Sequence, residues 1–317
     1  MPASTWLSPC LRAPSSHYRE PCHPFERATM IDSFSFRVQA LAKSVRMLAL
    51  IGASIKLRSH PAVDPAIRQT IDHGALLALG QVLLPDDDEE ISQVLTMVEM
   101  ALGEASELFR NPDRGANWEI FDPAALQAIG RASRSVFTRI CQIAEAHPRL
   151  QDALEGCFLD VGTGVAEIAL EAARTCPRLR VEGIDIWEPA LKIARKNVGE
   201  SGFADRVTIR KLDVAALDER DRYTLAWLPT MYLKRASVEI ALDRIARASR
   251  SDAYLVAALY SRAEDPFLAL MADLRTLRSG GEIRNPALLR SMMEARGYVD
   301  LEMSVTPLAT FVFGRLP

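Results

Sequence analysis

The chain has 317 residues, 49% of them apolar and 25% charged, with a formal net charge of −3. That length holds one large domain plus a smaller one, and the composition is ordinary for a globular protein. Near-neutrality excludes the long-range field that draws proteins to nucleic acid or to anionic membranes.

Residues 1–29 are rich in Pro and Ser and lack a hydrophobic period, which predicts a disordered tail with no secretory core. Met30 opens a domain-like stretch (Met30-Ile-Asp-Ser-Phe-Ser-Phe), so a translation start at Met30 instead of Met1 is one reading. Cys10, His17, Cys22 and His23 match no compact finger spacing, and no metal is expected there. The five cysteines (Cys10, Cys22, Cys141, Cys157, Cys176) form an odd, loosely spaced set. They point to a reducing, cytoplasmic setting rather than a disulfide framework. Cys141 and Cys157 read as small buried hydrophobes.

Residues 30–115 read as an all-helical domain. Val38, Leu41, Val45, Leu48 and Ile51 recur at helical spacing. The apolar run Phe36 to Leu57 is interrupted by Arg37, Lys43 and Arg46, so no segment is expected to span a membrane. A second helix follows Pro61 and ends near Gly80. A third starts after Pro85 with Asp86-Asp-Asp-Glu-Glu90. That run suits the positive end of a helix dipole, with Asp87 or Asp88 as cap, better than a metal cluster. Residues 111–122 are a turn-rich connection holding Trp118 and Phe121, and Pro123 to His147 reads as one long helix.

The densest signal comes next. Phe158-Leu-Asp160-Val-Gly162-Thr163-Gly164-Val-Ala166-Glu167 is an apolar run with an acid near its end, two glycines and a helix start. A second run, Leu179 to Ile184, delivers Asp185 and Ile186. Glycines let the backbone approach a ligand, the helix N-terminus faces it, and the second acid suits a ribose diol. A dinucleotide fingerprint would place a third glycine at 167. Glu167 there would meet a pyrophosphate with like charge, which argues against NAD or FAD. Arg206 to Asp213-Val214 reads as a third strand ending in an acid. Tyr223 to Trp227-Leu-Pro229-Thr-Met231-Tyr232 reads as a fourth running into a loop, and Ala253 to Tyr260 as a fifth. Leu288 to Gly297 reads as a glycine-capped helix, followed by strands at Val299–Val305 and Thr310–Phe313.

In that order and spacing, residues 116–317 resemble the class I S-adenosylmethionine (SAM) methyltransferases, whose first motif is an acid followed by Gly-x-Gly-x-Gly. The departure is Ala166 at the third glycine, and alanine requires an ordinary backbone conformation there. The resemblance implies an α/β fold: a Rossmann-like seven-stranded methyltransferase sheet, last strand antiparallel, with an N-terminal all-helical domain over 30–115 acting as lid and dimerisation element. It implies SAM as cofactor, held by Asp160, Gly162, Thr163, Gly164, Asp185, Ile186, Asp213, Val214 and Trp227. Asp213 would meet the adenine amino group. It places Trp118, Phe121, Arg131, Met231 and Tyr232 at the substrate, although each could equally be core packing or a solvated side chain.

Methyl transfer is an in-line displacement that rests mainly on proximity and orientation. No base is evident. All five histidines (His17, His23, His60, His73, His147) precede the cofactor strand, whereas the plant-type O-methyltransferases carry theirs beyond the fourth. His73 reads more plainly as a solvated or core residue. Tyr232 and Tyr260 are the candidates for orienting a nucleophile. The fourth-strand loop lacks the acid or amide before Pro-Pro-aromatic that amino-methylating enzymes carry, and Pro-Cys pairs occur only at Pro9-Cys10 and Pro21-Cys22. The expectation is a small-molecule methyltransferase acting on O, N or C, with no nucleic-acid or membrane partner. A homodimer is compatible with the sequence, although no heptad pattern demands one. The alternatives are a protein-modifying methyltransferase and a non-catalytic SAM-binding scaffold.

Overall fold

The computed structural model describes residues 24–60, 62–80, 87–118 and 120–317. Residues 1–23, with the Met1 start and Cys10, His17, Cys22 and His23, lie outside the described residues. So do Pro61, residues 81–86 and Glu119. The chain divides into two compact units, Met1–Pro112 and Asp113–Pro317.

The described part of the first unit is helical: α1 (Pro24–Leu57), α2 (Pro65–Ala78) and α3 (Asp88–Arg110). Helix α1 begins inside the stretch expected to be tail. Proline is pre-organised for a first helical position, and Phe-Glu-Arg-Ala continues without a breaker. Between Phe34 and Leu57 this helix is long and apolar enough to cross a membrane by length and composition, which corrects the expectation that no segment is. The basic residues thin the run without ending it. Helix α2 is capped by Asp64, which accepts from the Ala66 and Ile67 N–H groups. For α3 the cap is Asp87, whose carboxylate accepts from Glu90 N–H at 2.8 Å. Its carboxylate satisfies an N–H that the first turn otherwise leaves orphaned.

The second unit opens with α4 (Pro123–Ser133), α5 (Ser135–Glu145) and α6 (Pro148–Ala153). The single helix expected over 123–147 is therefore broken at Arg134. Ser133 and Ser135 hydroxyls donate back to the Gly130 and Ala132 carbonyls. The backbone tightens to three-residue spacing, with Arg134 N–H on Arg131 O and Phe137 N–H on Arg134 O. Serine competes with the helix ladder in this way.

Alternation follows: β1 (Cys157–Val161), α7 (Glu167–Thr175), β2 (Arg180–Asp185), α8 (Glu188–Ser201), β3 (Val207–Lys211), β4 (Tyr223–Pro229), α9 (Arg235–Ala248) and β5 (Ser249–Tyr260). Short 3-10 turns follow β3 (Val214–Ala216) and β4 (Thr230–Tyr232). Helices α10 (Pro266–Arg278) and α11 (Pro286–Glu294) precede β6 (Val299–Val305) and β7 (Ala309–Arg315). Gly297, at φ +85°, ends α11, and the Tyr298 N–H reaches back to Met293 O.

The seven strands lie in the order β3-β2-β1-β4-β5-β7-β6. Strands β1 to β5 pair in parallel, and β7 runs antiparallel to both β5 and β6. Successive side chains face opposite ways, so the sheet is buried on both sides. Phe158, Val181 and Trp227 join Phe137 and Ile168 on one face, while Leu159, Leu228 and Leu255 join Leu242, Ile245 and Met293 on the other. Strand order reverses between β1 and β4, and the crevice beyond the carboxyl ends at such a switch point is where open α/β sheets bind ligands.

Candidate functional site

The switch point is built by the turn between β1 and α7. Gly162 and Gly164 adopt φ of +69° and +55°, so this turn needs left-handed backbone. Gly162 and Thr163 N–H groups both donate to Ile184 O on β2, at 2.8 and 3.1 Å. Apart from its chain neighbours, no atom of the described residues lies within 4 Å of where a Cβ on Gly164 would stand. Ala166 also lies in the left-handed region, at φ +71° and ψ +21°. This corrects the expectation of an ordinary conformation: alanine here occupies the backbone geometry of the glycine it replaces. Its methyl is fully buried in the core beside Ile168 and Ala169.

Three acids come to this end of the sheet. Asp160 is fully buried on β1, with Thr163 Oγ1 donating to its Oδ2 at 2.6 Å. Its Oδ1 is buried and has no close hydrogen-bond partner among the described residues. Desolvation pushes the Asp160 pKa up to about 7, with Asp185 adding to the rise and the Thr163 bond opposing it. Asp185 ends β2. Its Oδ2 accepts from Gly164 N–H and its Oδ1 from Trp187 N–H, both at 2.8 Å. Burial raises its pKa, and the N–H groups of Trp187, Gly164 and Ile186 work against that rise. Asp213 is exposed and caps the turn after β3 through Ala215 N–H at 2.9 Å, with half-buried Val214 next to it. Ile186 is exposed at the end of β2.

Glu167 does not present a free carboxylate. It is nearly buried at the start of α7 and accepts from Arg134 Nε at 2.7 Å. The ion pair weakens the charge argument against a pyrophosphate. The sheet order, with its reversed β7, separates this fold from the dinucleotide-binding order instead.

Two aromatic groups flank the turn. Phe121, 67% exposed, packs edge-on against Trp187 at 5.0 Å between ring centroids. The indole of Trp187 donates to Ile120 O at 3.0 Å, which ties the 111–122 connection to the end of β2. On the other side Trp118 lies 4.7 Å from the Tyr232 ring, and the Tyr232 and Tyr260 hydroxyls are 3.3 Å apart. Burial raises the pKa of the Tyr232 phenol. The two sides adjoin, because a Cβ on Gly162 would stand 3.4 Å from the Pro229 ring at the end of β4. Met231 is buried in the core, as is Trp227, which faces Phe311. Arg131 is exposed on α4. His73 lies on α2 in the first unit.

Sequence reasoning passed over Trp187, Arg134, Gly183 and Arg284. Gly183 had a readable signal as a glycine inside a strand. A Cβ there would stand 2.5 Å from Thr163 Oγ1, so the strand stays bare to seat that hydroxyl. Arg284 had none, since its partners are distant carbonyls.

Residues 158–252 match a family described as a methyltransferase domain. The tRNA1(Val) (adenine(37)-N6)-methyltransferase of Porphyromonas gingivalis is 45% identical over 56 residues, 18% of this chain and 22% of that enzyme. The chain thus spans under a quarter of the length of this curated relative. Over nearly the whole chain, the likeness is to solved structures. An O-methyltransferase family protein from Burkholderia thailandensis superposes with a TM-score of 0.63 at 14% identity, covering 90% of this chain and 98% of that one. Human N-acetylserotonin methyltransferase, solved in complex with SAM, superposes at 0.59 and 14% identity, covering 94% and 99%. At such identities the likeness is one of fold.

Proposed function

We propose that the methyltransferase domain matched over residues 158–252 is of the class I kind and uses SAM, and that the chain methylates a small organic molecule, at an oxygen whose proton is already acidic. The site suits the cofactor on its own geometry. Asp160 Oδ1 is a buried acceptor with no close partner among the described residues, which matches an ammonium. The space at Gly164 admits a ligand against bare backbone. Asp185 accepts from Gly164 N–H on Oδ2 and from Trp187 N–H on Oδ1, and the carboxylate keeps a lone pair for a ribose hydroxyl. Asp160, Gly162, Thr163, Gly164, Asp185, Ile186, Asp213 and Val214 would hold SAM, which supplies a methyl group on a positively charged sulfur.

The observation that carries the choice of acceptor is the tyrosine pair. Tyr232 lies just beyond the carboxyl end of β4 and Tyr260 is the last residue of β5, with Trp118 against Tyr232. Burial holds the Tyr232 phenol protonated at neutral pH, so it donates a hydrogen bond and does not act as a base. No histidine follows β1 to take that role. The acceptor therefore brings its own acidity, as a phenol or a carboxylic acid does. The pair orients the acceptor oxygen, and Trp118 and Tyr232 exclude water around it.

One observation favours a second reading. The local match to a tRNA-methylating enzyme allows a macromolecular acceptor. Against it, the loop Trp227-Leu-Pro229-Thr-Met-Tyr232 has no amide or acid at its head to hold an amine. The non-catalytic reading rests on Ala166 in the glycine loop and on the lack of an evident base, and the left-handed backbone of Ala166 with its core-facing methyl removes the first of these supports.

Purified protein given methyl-labelled SAM is offered a panel of phenols and carboxylic acids, and in parallel a protein and RNA extract. Label in the small-molecule fraction is the expected result, and label only in macromolecules would refute the proposal. Tyr232→Phe and Tyr260→Phe should each lower kcat about tenfold, the worth of one hydrogen bond in the transition state.

A further inference from the structure

The turn that carries Tyr232 does not hold itself. Segment 279–284, between α10 and α11, braces it from three directions. Arg284 is only 7% exposed, and its Nη1 and Nη2 donate to Thr230 O at 2.5 Å and Leu233 O at 2.7 Å, bracketing Met231 and Tyr232. Gly281 runs so close that a Cβ on it would stand 2.1 Å from Met231 O. Glu282 accepts from Arg235 N–H at 2.9 Å, which fixes the start of α9. The same segment reaches the 111–122 connection, since a Cβ on Gly280 would stand 3.3 Å from Ala116 O, two residues before Trp118.

A buried guanidinium met by two carbonyls is costly to keep. An aliphatic residue of similar volume would fill the space, but only the planar fork of arginine spans two carbonyls at once. We propose that Arg284 is a positioning residue, which sets the Thr230–Tyr232 turn so that Tyr232 stands between Trp118 and Tyr260. The placement of the turn follows from contacts alone, and its value for acceptor binding rests on the function proposed above.

The test reads the tyrosines directly. Protein labelled with 3-fluorotyrosine gives a separate 19F resonance for each tyrosine, and Tyr232→Phe and Tyr260→Phe assign the two that matter. Arg284→Met should shift or broaden those two and leave Tyr223, Tyr254 and Tyr298 in place. Arg284→Lys, which keeps a donor, should fall between. Binding of S-adenosylhomocysteine, followed by calorimetry, should stay within about twofold of wild type, as expected for separate sites. Should Arg284→Met fail to fold, Gly281→Ala presses on the same turn from Met231 and should move the same two signals. Unmoved Tyr232 and Tyr260 resonances, or all resonances moving together, would overturn the assignment. Failure of the wild-type protein to bind S-adenosylhomocysteine would instead overturn the methyltransferase reading and leave the tyrosine result standing.

Discussion

Replacing Ala166 by glycine should be nearly neutral, although it deletes a fully buried methyl. Two terms oppose the change. Removing a buried methyl costs about 0.8 kcal/mol, and the freer unfolded chain of glycine adds about 0.4–1 kcal/mol. One term favours it, since Ala166 is held at φ +71°. A left-handed residue with a Cβ is strained by about 1–2 kcal/mol, and glycine releases that strain. The terms cancel to within about 1 kcal/mol. Ala172 is the control: it is equally buried, inside α7 and in ordinary helical backbone. Ala172→Gly bears the same two costs without the release and should lose about 1.5 kcal/mol. Guanidinium unfolding followed by tryptophan emission reads this unit, because Trp118, Trp187 and Trp227 all lie in it. The expectation is a midpoint close to wild type for Ala166→Gly and a lowered one for Ala172→Gly, at equal slopes. Equal losses at both positions would refute the claim that position 166 stores strain.

Other expectations follow from the same turn. Gly183→Ala drives a Cβ to 2.5 Å from Thr163 Oγ1 and 2.9 Å from Ile209 Cδ1. Overpacking of that kind costs about 1–3 kcal/mol, visible as a lowered unfolding midpoint, and an unchanged midpoint would contradict it. Asp185→Asn should weaken S-adenosylhomocysteine binding about 10–100-fold by calorimetry, since it removes the charge from the acceptor of the Gly164 and Trp187 N–H groups. Unaltered affinity would remove Asp185 from the site. Asp160 has a folded pKa of about 7, above the usual carboxylate range, so the folded state binds more protons than the unfolded chain between these values. Its contribution to stability therefore falls as pH rises from about 4 to about 7. Asp160→Asn should gain on wild type across that window, and a pH-independent difference between the two would show that the carboxyl is not desolvated.

Much of this protein is legible residue by residue, because the forces concerned are local. Left-handed backbone at Gly162 and Gly164, acids at the ends of β1 and β2, a cap at Asp87 and the glycine stop at Gly297 each depend on a few neighbours in the chain. The five strands over 157–260, the helix that starts at Glu167 and the closing pair β6 and β7 follow from period and punctuation. Helix α10 carried no comparable signal, with several exposed apolar residues such as Phe267 and Leu270 blurring its pattern. Tertiary structure alone decided the rest. Ala166 prefers right-handed backbone by itself. It is held left-handed because Gly162 and Thr163 are pinned to Ile184 and Ala166 N–H to Thr163 O, while the methyl is packed in the core. Glu167 reads as a free charge until α4 and α5 break at Arg134 and bring it a partner. Trp118, Tyr232, Tyr260 and Arg284 lie far apart in the chain. They meet because parallel strands deliver their carboxyl ends to one edge, and no periodicity or spacing encodes a contact made across that distance.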